Sequence, residues 1–63
     1  MSIRSNVCEV LRLQANSVES TAATLRKYDP GAKAAIVLCE TFATDLRKAM
    51  MLLQEEGPVH AAP

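Results

Sequence analysis

The sequence predicts an all-α protein, an antiparallel two-helix hairpin that dimerises into a four-helix bundle. Three observations predict it. Asp29-Pro30-Gly31 interrupts the chain near its middle, and both flanks are long runs without Gly or Pro. Apolar residues recur at helical spacing along both flanks. Hydrophobic residues make up 49% of the chain, yet aromatics are limited to one Phe and one Tyr, and much of the rest is alanine. Small residues suit close helix packing and give a β-sandwich little to work with.

The first helix is expected over about residues 5–28. Ser5 or Asn6 can cap it, with Glu9 three residues beyond Asn6 as in a capping box. At about 100° per residue, Val7, Leu11, Ala15, Val18, Ala22 and Leu25 share one face. The turn occupies 29–31, because Pro-Gly after Asp favours a turn and disfavours helix on either side. The second helix is expected over about 32–56 and ends at Gly57-Pro58. Its main stripe is Ala35, Leu38, Cys39, Phe42, Leu46, Ala49 and Leu53, widened by Ala43 and Met50. That arc spans roughly 140°, more than the roughly 100° one packed neighbour covers. Two neighbours are therefore expected, one within the chain and one from a second copy. Residues 1–57 form the hairpin and 58–63 an aperiodic, flexible tail.

A chain of 63 residues buries little surface by itself, and such chains need a staple or a partner subunit. Zinc is not expected, nor any other cofactor, because Cys8, Cys39 and His60 are the only Cys and His residues. In a hairpin folded near residue 30, Cys39 lies level with about residue 21. Cys8 is then roughly 20 Å away along the axis, too far for a disulfide. Each cysteine reads as a small buried hydrophobe. Pairing two hairpins is the remaining remedy, since two amphipathic helices cannot enclose a core. Val7, Leu11, Val18, Leu25, Ala35, Cys39, Phe42, Leu46, Ala49 and Leu53 are the expected dimer core, with Phe42 at the bundle centre.

The net charge is zero, from seven basic and seven acidic residues, so no long-range field draws the chain to nucleic acid or an anionic membrane. No apolar run approaches the roughly 20 residues that cross a bilayer. The N-terminus lacks the apolar region of a secretory signal. The chain reads as a complete cytoplasmic protein with reduced thiols. Catalysis is not expected. His60 lies in the tail, and adjacent carboxylates such as Glu55-Glu56 point about 100° apart on a helix. Arg26, Lys27 and Lys33 at the hairpin end suit the C-terminal dipole of the first helix.

Several hydrophobic residues miss the expected core. Val10 and Leu13 lie off the first stripe, Val37, Met51 and Leu52 off the second, and Tyr28 flanks the turn. With Arg26 and Arg47 as polar anchors at the rim, they form a candidate partner-binding set. Met50, Met51 and Leu52 make a flexible apolar cluster of the kind used against partner helices.

The hairpin plan, with a turn opened by Asp29 and a central Cys39 on the second helix, resembles plasmid copy-number regulators of the Rop type, which bind paired RNA loops. Their RNA site uses a Phe and basic residues on the first helix. This first helix has no Phe and few basic residues, so that site is not carried over. Size, neutral charge, two helices and surplus surface hydrophobes also resemble the hairpin proteins that bacteriophages use to disable host regulators, including quorum-sensing anti-activators of Pseudomonas phages. That resemblance implies a non-enzymatic homodimer that binds and inhibits a host regulatory protein, for example a transcriptional regulator. Nucleic-acid binding of the Rop kind, or a role as a small subunit or chaperone of a larger assembly, are the alternatives.

Overall fold

The computed structural model describes residues 2–56. They form two helices, α1 (Ile3–Tyr28) and α2 (Lys33–Glu56), packed against each other along their length. The packing is antiparallel. The Arg4 guanidinium donates to the Leu53 carbonyl at 3.5 Å, Cys8 Sγ lies 3.9 Å from the Met50 carbonyl, and Arg26 pairs with Glu40 nearer the turn. The hairpin is thus present. The expected tail, 58–63, lies outside the described residues.

α1 begins two residues before the expected range of 5–28, and its cap, Ser2, lies four residues before the Asn6 of the capping-box reading. Ser2 has an extended backbone (φ −100°, ψ 156°). Its Oγ accepts the Ser5 N–H at 3.0 Å and its carbonyl accepts the Asn6 N–H at 3.1 Å. Ser2 is as good a cap as Ser5, and nothing in Ile3-Arg4 opposes helix. The added residues also carry Arg4 over the end of α2. Glu9, freed from capping, pairs with Arg12 one turn on, a contact that strengthens the Arg12 guanidinium's hold on its proton.

The turn follows from its residues. The Asp29 N–H closes α1 on the Leu25 carbonyl at 2.7 Å, and the Ala32 N–H donates to the Asp29 carbonyl at 3.0 Å. Pro30 and Gly31 sit between them, where proline's fixed φ is already correct. The Ile36 N–H then donates to the Ala32 carbonyl at 3.0 Å, which opens α2. Gly31 does not use the left-handed region, and a Cβ there would meet only Asp29 Oδ1, at 3.9 Å.

The seam between the helices keeps a strict 4-3 spacing. On α1 it is Arg4, Cys8, Leu11, Ala15, Val18, Ala22 and Leu25; on α2 it is Ala32, Ile36, Cys39, Ala43, Leu46, Met50 and Leu53, all buried or half-buried. This is the heptad pattern of two helices that supercoil. Alanine dominates its centre, with Ala15 at 0% exposure and Ala22 and Ala43 at 2%. The large side chains buried beside them are Ile36 and Leu46, at 8% and 9% exposure. A core of two large side chains and three alanines is far below what holds a domain together alone.

Relative to the expected main stripe, the α2 seam is rotated by roughly 60°. Ile36 enters it, while Ala35, Leu38, Phe42 and Ala49 are exposed. On α1 the shift is small, with Cys8 taking the place of Val7. Cys8 stands at the level of Met50, far along the axis from Cys39, and both thiols are free. Among the described residues no helix is long and apolar enough to cross a membrane.

Candidate protein interface

Two helices make a slab with two broad faces and two edges, and the seam decides what each carries. The residues that follow seam positions rotate about 100° one way. On α1 these include Glu19 and Arg26, after Val18 and Leu25; on α2 they include Glu40 and Arg47, after Cys39 and Leu46. They meet across the seam. Arg47 donates to Glu19 at 2.9 Å and 3.4 Å and to Asn16 Oδ1 at 3.1 Å, and Arg26 pairs with Glu40. Between the pairs lies a shallow groove of about 320 Å³ floored by Ala22, Ala23 and Ala43. One broad face is therefore tied up by its own charges.

The residues that precede seam positions rotate the other way. Because the helices run antiparallel, both sets emerge on the same face, opposite the ion pairs. On α1 the stripe is Ile3, Val7, Val10, Gln14, Ser17, Thr21, Thr24 and Tyr28. On α2 it is Ala35, Leu38, Phe42, Asp45, Ala49 and Leu52. All are exposed, with Leu38 at 68% and Phe42 at 53%. Asp45 is the sole charged residue among these positions. Thr21 donates its hydroxyl to the Ser17 carbonyl at 3.1 Å, and Thr24 donates to Ser20 at 3.0 Å. Those donors are satisfied within α1, so the threonines can be covered without stranding a hydrogen bond.

The expected residues sort onto these surfaces. Leu11, Val18, Leu25, Cys39, Leu46 and Leu53 of the expected dimer core face the other helix of the same chain. Val7, Ala35, Phe42 and Ala49 stand together on the free face. Of the candidate partner-binding set, Val10, Tyr28 and Leu52 belong to the free face, and Lys27 Nζ sits 5.4 Å above the Tyr28 ring. Leu13 lies on the outer edge of α1. Val37 and Met51 lie on α2 towards the ion-paired face. Arg26 and Arg47 are engaged in cross-helix pairs. Sequence reasoning missed Arg4, Cys8, Ala32 and Ile36 as seam residues. The signal available was the uninterrupted 4-3 spacing that passes through them.

The described residues bring no three His, Cys, Asp or Glu side chains together in an arrangement that could hold a metal. No family model, characterised protein or solved structure matches this chain. The functional reading rests on the two unequal faces.

Proposed function

We propose that the chain is a non-enzymatic protein-binding module. It pairs with a second copy through the Leu38/Phe42 face to form a four-helix bundle, and it binds and inhibits a cellular or host regulatory protein. The observation that carries this reading is the free face. Apolar side chains from both helices lie exposed on one side of a slab that is ion-paired on the other. A slab about 36 Å long and 20 Å wide presents roughly 700 Å² on that side. This is close to the roughly 800 Å² per partner of a standard stable interface.

Leu13, Val37 and Met51 stay outside the self-interface and are the remaining apolar contacts for a second protein. The nucleic-acid reading loses support because Arg26 and Arg47 already have carboxylate partners. Sedimentation equilibrium tests the first half of the proposal, and a concentration-dependent dimer is the expected result. Affinity capture from bacterial lysate tests the second. Recovery of one protein by the wild type, and its loss with Leu13→Ala/Met51→Ala, is the expected outcome. Capture of RNA without protein would reverse the reading.

A further inference from the structure

The free face also contains its own register. Its stripes keep the 4-3 spacing of a helix–helix seam: 35, 38, 42, 45, 49, 52 on α2 and 7, 10, 14, 17, 21, 24 on α1. Each stripe position precedes a seam position by one residue, about 1.5 Å along its own helix, and because the helices run antiparallel the two stripes shift in opposite directions, which places Asp45 nearest the level of Gln14. A second copy can cover this face in two ways that keep all neighbouring helices antiparallel. In one, the two turns lie at opposite ends and each helix meets its own copy. In the other, the turns lie at the same end and α1 of one copy meets α2 of the next.

The two arrangements treat Asp45 differently. With turns at opposite ends, antiparallel layering sets Asp45 against Phe42 of the other copy, twice, and brings the two Asp45 carboxylates close together across the two-fold axis. A carboxylate covered by an aromatic ring with no donor is costly, and a neighbouring like charge adds to the cost. With turns at the same end, Asp45 meets Gln14, whose amide is a hydrogen-bond donor. Three of the other layers then set large against small. Phe42 meets Ser17, Leu38 meets Thr21 and Ala49 meets Val10. Thr21 has already satisfied its hydroxyl donor on Ser17, so it offers its methyl to Leu38.

We infer that the hairpin pairs with a second copy with both turns at the same end, α1 lying across α2 of its partner, and Asp45–Gln14 as the polar layer that sets the register. This rests on the self-association proposed above, and the test separates the two. The chain carries a spin label on Lys33→Cys, beside the turn, in a Cys8→Ser/Cys39→Ser background. Its mass is measured by sedimentation, and the distance between labels by electron–electron resonance. A dimer with labels less than about 35 Å apart is expected, because both labels lie at the same end of a bundle whose helix axes are only ~8–10 Å from their neighbours. A dimer with labels more than about 35 Å apart, near one helix length, would overturn the orientation while leaving self-association intact. A monomer would overturn both.

A second measurement keeps the native cysteines. Asp45→Leu or Gln14→Leu alone leaves the dimer no tighter than wild type, because each strands the other polar group. The double variant tightens it by about tenfold or more. Full tightening by Asp45→Leu alone would overturn the same-end pairing.

Discussion

Replacing Phe42 with alanine should dissociate the proposed dimer, and the size of the effect can be worked from exposure. Phe42 is 53% exposed in the single chain. A phenylalanine side chain carries roughly 200 Å², so about 100 Å² remains to be covered by a second copy. At about 25 cal/mol per Å² this is near 2.5 kcal/mol, of which alanine loses about 2 kcal/mol. Each dimer contains two such residues and so loses about 4 kcal/mol. At about 1.4 kcal/mol per tenfold, the dissociation constant rises by roughly three orders of magnitude. Sedimentation equilibrium across a dilution series reads that change directly. Met51→Ala is the matched control, because Met51 is also 53% exposed but lies on α2 towards the ion-paired side. Its dissociation constant should stay within about threefold of wild type, since it adds no area to the self-interface. Equal shifts for the two variants would show that exposure rather than face governs association. No shift for Phe42→Ala would remove the free face as an interface.

Other outcomes follow from the same geometry. Ala22→Leu should lower stability by about 1–3 kcal/mol through overpacking of a seam with no spare volume, read as an earlier thermal melt at fixed concentration. Arg47→Ala should cost no more than about 1 kcal/mol, because exposed ion pairs are weak, and chemical denaturation would detect a larger loss. Gly31→Ala should be neutral to stabilising, by about 0.4–1 kcal/mol, since the turn uses no left-handed glycine and the unfolded chain loses freedom. A destabilised Gly31→Ala variant would mean that the turn geometry is different. Ser2→Ala should fray the start of α1 at a cost of about 1 kcal/mol, visible as faster amide exchange at Ser5 and Asn6.

Much of the architecture was legible in the residues. Asp29-Pro30-Gly31 located the turn, and helical periodicity located both helices to within two residues at each boundary. The face of α1 was nearly right because its seam and its apolar stripe largely coincide. On α2 they do not. Leu38 and Phe42 draw a helical wheel towards the free face, whereas the helices actually touch through Ile36, Ala43 and Leu46. Large residues dominate any hydrophobicity reading, but a close helix approach selects small ones. The breadth of the α2 arc was the clue that two surfaces overlapped there. The roles of Arg26 and Arg47 were not legible, because their carboxylates, Glu40 and Glu19, lie on the other helix. Pairing them requires the register that only the folded hairpin supplies.

The alanine seam acts as a spacer gauge for the whole molecule. Ala15, Ala22 and Ala43 hold the two rods at a separation that the reach of Arg47 to Glu19 and of Arg26 to Glu40 is matched to. The same separation fixes the pitch between the rows that a second copy would engage under the proposed pairing. A bulkier residue at any of these positions would widen that pitch, so a hidden methyl group governs how well the outside of the molecule fits anything laid upon it.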